Sequence, residues 1–415
     1  MVQTKRGDTN MTILFKQRGA ILILMLNLFL VFTGVGLIIP IMPKFMSMLG
    51  ISGSVVGLLV AVFSLTQFLF SPVIGRLADT FGRKRMIVIG MILFAVSEWM
   101  FGFANSRELL TVSRMLGGVS AAMIMPAVMA YAADITTPEE RATGMGYINA
   151  AITTGFIIGP GIGGYLAELG IRVPFYAAAG AGLAAAAVTL LVLRETLSAK
   201  EDGSEAAPDA GPRVGLFAQL KSSYREPYFI SLIIVFVMSF GLANFETVFG
   251  LFVDHKFGFE PKDIASIITF GSIAGAVVQL TAFGWILQKF GEKRVISVCL
   301  LVAGLFILLT LFVHRYFLIF AVTFIVFLAT DILRPAIGTQ MSMLAKDQQG
   351  YVAGLNSAFT SLGNIVGPLA AGALFDWNLN FPYTLGGGVL LLCFGLSLRT
   401  GGKRRRAAAD SRLPV

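Results

Sequence analysis

The chain has 415 residues, 56% of them hydrophobic and 13% charged, with a formal net charge of +9. Soluble globular proteins carry about 25% charged residues, so this composition excludes an ordinary soluble domain and points to a membrane protein. The basic excess lies in short turns and tails between apolar runs, which makes it a topology signal; membrane lipids are expected as partners, and nucleic acid is not.

The first nineteen residues are polar and hold Lys5, Arg6, Lys16 and Arg18. The apolar run from Ala20 is too long for a signal-peptide core and lacks an A-x-A cleavage site, so it reads as a retained first span. A span needs about 20 apolar residues, and continuous rather than alternating runs favour helices over a barrel. Spans are expected at about 20–43, 54–74, 86–104, 108–132, 142–167, 174–193, 228–252, 263–287, 295–313, 316–341, 350–374 and 382–398. The implied domains are a cytoplasmic tail (1–19), a six-helix bundle (20–193), a cytoplasmic linker (194–226), a second six-helix bundle (227–399) and a basic cytoplasmic tail (400–415). The linker contains SAKEDGSEAAPDAGPR, which cannot bury a core. Thr137-Pro138-Glu139-Glu140 is a capping box with proline at the first helical position of span five.

The chain carries an internal duplication. Gly75–Arg85 (GRLADTFGRKR) returns 209 positions later as Gly284–Arg294 (GWILQKFGEKR), both as basic turns between apolar runs. Gly155, Gly159, Pro160 and Gly164 return as Gly363, Gly367, Pro368 and Gly372, at an offset of 208. Two halves of this kind in a bilayer are most simply a two-bundle transporter with its site where the halves meet. Lysines and arginines divide 24 to 6 between the two sets of alternating extramembrane segments, with Arg114 and Arg334 inside spans. That bias places both termini and the linker in the cytoplasm and supports an even span count. Lys403–Arg406 is expected to meet anionic headgroups.

Ionisable residues inside spans are candidates for function because lipid makes them costly. Glu246 in span seven has no cation on its own helix until the outer end, so it reads either as a carboxyl that exchanges a proton for a cationic ligand or as a protonated packing carboxyl. Asp331 and Arg334 in span ten are three apart and can pair on one helix face, where Asp331 reads either as a directly functional carboxyl or as half of a structural ion pair. Glu98 in span three lies nearer an interface, from which it can snorkel. Arg114 in span four needs a carboxylate, carbonyls or water, and reads either as a relay or gating charge or as a structural bridge. In span five, Gly155, Gly159 and Gly163 form one smooth face for close helix approach, and Pro160 frees the carbonyl of Phe156. Asp79, set among cations, can form a latch on the cytoplasmic side or serve a plain anchoring turn. Cys299 and Cys393 read as small core residues, His255 and His314 as interfacial, and no cluster has metal-ligand spacing. The 35 phenylalanines and 17 methionines are enough to build a deformable apolar pocket.

Together these segments, from about Leu24 to Leu398, resemble the major facilitator superfamily. Gly75–Arg85 resembles its motif A (Gly75, Asp79, Gly82, Arg83, Arg85), and the stretch from Arg114 resembles motif B. Gly155–Gly164, with Gly155, Gly159, Pro160, Gly163 and Gly164, resembles motif C, which marks drug–proton antiporters. VSRMLGG, TTGFIIGPGIGGYLAE, LFVDHKFGF and GPLAAGALFD are similar to the NorA/Bmr type of bacterial multidrug efflux transporter. The resemblance implies an all-α major facilitator fold of twelve transmembrane helices in two pseudo-symmetric six-helix bundles, in a bacterial inner membrane. It implies a monomeric secondary transporter rather than an enzyme, without cofactor or metal, that exports amphipathic, often cationic drug-like compounds against inward proton flow. Glu246 in NFETVF, and Asp331 with Arg334 in DILRPA, match positions tied to proton coupling and substrate recognition; Arg114 matches the motif B arginine. Phe32, Gln67, Phe156, Phe327 and Asn364 match positions lining the family's central cavity. Gln288 stands where the first loop copy has Asp79, so a latch would be asymmetric. Export of a polyamine or metabolite and proton-coupled sugar or organic-acid symport remain alternatives. So do an intramembrane enzyme, for which no catalytic constellation appears, and a sensor without transport.

Overall fold

The computed structural model describes residues 2–196, 228–345 and 349–410. Most of the expected linker therefore lies outside the described residues, as do the last five residues of the chain. Within them are thirteen α-helices. The first half carries α1 (Val2–Leu49), α2 (Gly53–Phe81), α3 (Arg83–Phe103), α4 (Arg107–Ile135), α5 (Pro138–Leu166) and α6 (Val173–Val192). The second carries α7 (Phe229–Phe257), α8 (Pro261–Thr281), α9 (Phe283–Phe290), α10 (Glu292–Leu309), α11 (Tyr316–Ala345), α12 (Gln349–Trp377) and α13 (Phe381–Asp410).

Local chemistry sets these boundaries. The Ser106 hydroxyl accepts from the Leu109 amide at the start of α4. Thr137 and Glu140 close a full capping box ahead of α5, with Pro138 in its first turn. Gly82 and Gly291, matched positions of the duplicated turn, both break the chain at positive φ, 102° and 75°. A side chain is strained there, so the turn geometry itself requires glycine.

Three departures from the expected layout have physical causes. The helical assignment of α1 runs back through the polar tail to Val2, with Gly19 at a positive φ of 73° where tail meets apolar run, and the membrane-length apolar stretch starts at Gly19. The eighth span ends at Thr281 rather than continuing to about 287; α9 follows as a separate two-turn helix that reads as more span by hydropathy alone. Among the described residues, eleven helices are long and apolar enough to cross a membrane. The helix at the ninth expected span, α10, opens on Glu292, Lys293 and Arg294 and ends at Leu309, which shortens its apolar stretch.

The chain divides into two compact units, Met1–Asp202 with Val253–Thr269, and Gly203–Phe252 with Phe270–Val415. The expected boundary put 253–269 in the second bundle. It joins the first unit because α5 is shaped to receive it. A Cβ on Gly164 would strike the Ala265 methyl and the Pro261 carbonyl, and Lys262 Nζ lies 2.9 Å from Glu168 Oε1.

Each unit repeats one packing scheme. In the first, α1 packs on α5, and α3 packs on α4 and α6. In the second, α10 likewise packs on α11 and α13. A Cβ on Gly155, Gly159 or Gly163 would lie 2.6–2.7 Å from the carbonyl oxygens of Phe29, Thr33 and Leu37 on α1. A Cβ on Gly363 or Gly367 would meet the carbonyls of Phe236 and Phe240 on α7 at 2.9 and 2.7 Å. The small-residue faces therefore bring helix backbones together at duplicated places. The first unit's core is apolar, built around Leu24, Leu28, Ile87, Met91, Ile124 and Tyr131.

Candidate functional site

In the first unit, α3 and α4 bury an ion pair. Arg114 Nη2 donates to Glu98 Oε1 at 3.0 Å, with the two side chains 5% and 3% exposed. The guanidinium carbon also lies 4.3 Å from the Phe101 ring centroid. Beside the pair, Ser97 Oγ donates to the Ser113 carbonyl at 2.9 Å and Ser113 Oγ to the Ser97 carbonyl at 3.2 Å. Arg114 Nε and Glu98 Oε2 are buried without partners. This corrects the reading of Glu98 as a snorkelling residue: it turns inward, where a buried arginine supplies the charge that lipid or water cannot. Arg114 thus bridges two helices and keeps unused hydrogen-bonding capacity.

Phe32 on α1 and Phe156 on α5 pack with tilted rings, centroids 4.8 Å apart and planes at 51°, and Phe156 remains exposed. Gln67, on α2, is half-buried. The Gly75–Arg85 turn is held by acids of its own unit. Arg83 pairs with Asp134 at the end of α4 and, at 3.5 Å, with Asp79. The Glu195 carboxylate accepts the Arg83 and Lys84 amides at 2.8 and 3.3 Å, capping α3. Thr196 Oγ1 donates to Asp134 at 2.8 Å, and Tyr131 Oη to the Arg194 carbonyl at 2.7 Å. Asp79, Gly82 and Arg83 are therefore joined in one network, while Arg85 is exposed beside it and Gly75 packs toward Pro126. Asp134 and Glu195 were not singled out in the sequence. They lie 51 and 112 positions beyond Arg83, and no local spacing signals such partners.

In the second unit, Arg334 Nη2 on α11 donates to Glu246 Oε1 on α7 at 2.7 Å, with side chains 49% and 35% exposed. The expected pairing of Arg334 with Asp331 along one helix is not formed. The guanidinium reaches across to α7 instead, leaving Asp331 without a salt bridge among the described residues. Glu246 accordingly has a cationic partner, supplied by another helix. Asp331 packs where Gly275 of α8 leaves room for its carboxylate, and its carbonyl accepts from Gln279 Nε2 at 2.6 Å. Phe327, one turn before Asp331, is 7% exposed and packs edge-on against Phe245 and Phe249, each at 5.8 Å. Asn364 on α12 is half-buried, next to the Gly363 face that meets α7.

Two carboxylates and one guanidinium on α7 and α11 form an odd-numbered charge set in which a single arginine can neutralise one acid at a time.

Comparison with known proteins agrees with this architecture. The Major Facilitator Superfamily model matches residues 24–245 and again 231–413. The chain is 48% identical over 394 residues to multidrug resistance protein 2 of Bacillus subtilis, covering 95% of this chain and 98% of that protein. It is 41% identical over 372 residues to quinolone resistance protein NorA of Staphylococcus aureus, covering 89% and 94%. Among solved structures, the nucleoside transporter NupG aligns with a TM-score of 0.74 at 14% identity, over 92% of this chain and 98% of that one. A bacterial homologue of the human lysosomal transporter Spinster aligns at 0.71 and 16%, over 92% and 94%. These two show the fold. With thirteen helices among the described residues, eleven of them apolar spans, the chain is a multi-pass membrane transporter and not an enzyme, and it belongs to the Major Facilitator Superfamily.

Proposed function

We propose that this protein is a proton-coupled multidrug efflux antiporter of the bacterial cell membrane. It exports amphipathic, often cationic organic compounds by exposing a central site to the two sides of the membrane in turn. The names of its relatives, a multidrug resistance protein and a quinolone resistance protein, support that substrate class. One chain carries both halves, so transport needs no second copy. The 24-to-6 division of basic residues supports cytoplasmic termini.

The observation that carries the coupling is the Glu246–Arg334 pair at 2.7 Å with Asp331 one turn away on the arginine's own helix. Protonation of Glu246 from outside removes its negative charge and releases Arg334, which swings to Asp331. A cationic drug held by either acid then loses its counter-charge and leaves. Return to the cytoplasmic side and loss of the proton reset the pair. Phe32, Gln67, Phe156, Phe327 and Asn364 supply the apolar and amide contacts of the binding site, and Arg114 relays or gates. Motif A residues close the cytoplasmic side, and the motif C glycines and Pro160 set the helix approach.

Glu246→Gln tests this. It keeps the side-chain shape and a hydrogen bond to Arg334 but cannot carry the proton. Reconstituted in vesicles, it should fold and bind dye while losing pH-driven dye efflux. Undiminished pH-driven efflux would remove Glu246 from the coupling step.

A further inference from the structure

The two copies of the duplicated turn have opposite electrostatic fates. In the first, Asp79, Asp134 and Glu195 surround the turn and engage Arg83 and the amides that follow Gly82. In the second, Gln288 replaces Asp79, and Lys289, Lys293 and Arg294 remain exposed. Among the described residues no carboxylate lies in salt-bridge range of any of these three. The acid that remains, Glu292, opens α10 and does not offset three cations.

The turn also adjoins a cavity of about 320 Å³, lined by Phe290, Gly291, Glu292, Lys293, Arg294, Gln340 and Met343, so that two cations and one acid face it. Immediately before it, α9 is a two-turn amphipathic helix between α8 and α10. Its Trp285 is 57% and Phe290 45% exposed. Lys289 Nζ sits 4.6 Å over the Trp285 ring and 5.6 Å from that of Phe290. Exposed aromatics with a lysine folded over them, joined to a span end, are the composition of a membrane–water interface.

From this juxtaposition we infer that the cavity at the α9–α10 turn is a binding site for the phosphate headgroup of an anionic phospholipid. Lys293 and Arg294 contact the phosphate, Gln340 donates to a headgroup oxygen, and Trp285 and Phe290 lie against the upper acyl chains. The charge balance selects an anionic headgroup over a zwitterionic one. The duplicated loop then has two different uses, an internal ion-pair network in one half and a lipid clamp in the other.

The test is native mass spectrometry of the purified full chain, delipidated and titrated with phosphatidylglycerol or phosphatidylcholine. The wild type should retain phosphatidylglycerol preferentially. Lys293→Gln with Arg294→Gln should weaken that retention roughly 30-fold, or about 2 kcal/mol at about 1 kcal/mol per basic residue near an anionic surface. The matched pair in the first copy, Lys84→Gln with Arg85→Gln, should change it little. Equal retention of both lipids, equal losses from both pairs, or displacement of bound lipid by inorganic phosphate alone would each overturn the site. A second measurement does not depend on folding of the charge variants. With Trp99→Phe and Trp377→Phe, Trp285 is the sole indole, and headgroup-labelled phosphatidylglycerol should quench it more than the phosphatidylcholine equivalent. Equal quenching would overturn the proposal.

Discussion

Glu98 and Arg114 share one hydrogen bond in an apolar interior, and each keeps one buried polar atom unpaired. Removing one partner leaves the other charge uncompensated, so Glu98→Ala or Arg114→Ala should destabilise by about 3–5 kcal/mol. Glu98→Leu with Arg114→Met, which removes both charges, should recover most of that loss; thermal unfolding in detergent measures both. If Arg114 also relays protons, the stable double variant should still fail in pH-driven transport. The sequence marked Arg114 and Glu246 as costly in lipid, because cost depends only on residue type and depth along the span. It did not reveal their partners. Spacing along α11 suggested Asp331 for Arg334, yet the guanidinium crosses to Glu246; spacing along one helix carries no information about what a neighbouring helix offers. Glu98 was misjudged for the same reason, since depth says nothing of which way a side chain points.

At the scale of helices, the glycine faces were legible, because small residues four apart with a proline, repeated at an offset of 208, single out a close-packing surface. Their partners, α1 and α7, emerged only with the fold. Gly159→Ala would place a methyl 2.7 Å from the Thr33 carbonyl, and Gly367→Ala one equally close to that of Phe240. Each should cost about 1–3 kcal/mol by overpacking. Gly180→Ala on α6, where a Cβ meets nothing within 4 Å, should be neutral or stabilise by up to about 1 kcal/mol. The same unfolding measurement ranks all three, and Gly159→Ala matching Gly180→Ala would deny the close approach of α1. Thr137→Ala, which opens the capping box, should cost about 1 kcal/mol. The break at Ala282 was not legible. Phe283–Leu287 is as apolar as a span interior, and hydropathy does not register a helix that stops and restarts.

Over the whole chain, composition and duplication carried the fold class, since a charge deficit and a repeated pair of motifs are global properties. The division at 253–269 was hidden, because it depends on Gly164 fitting Pro261 and Ala265 and on Lys262 meeting Glu168. The coupling scheme makes a prediction at this scale. With Glu246→Gln, vesicles loaded with unlabelled drug should still exchange it for labelled drug, because bundle movement with bound drug needs no proton; net uphill efflux should vanish. Loss of exchange as well would mean that the residue serves movement or binding rather than coupling. Finally, the only two cysteines, Cys299 and Cys393, are free and buried, at 7% and 1% exposure. A maleimide dye or spin label should leave the native thiols untouched. A single cysteine introduced at a surface position can therefore be tagged selectively in the unaltered background, so distance spectroscopy on the transport cycle can begin without first building a thiol-free protein.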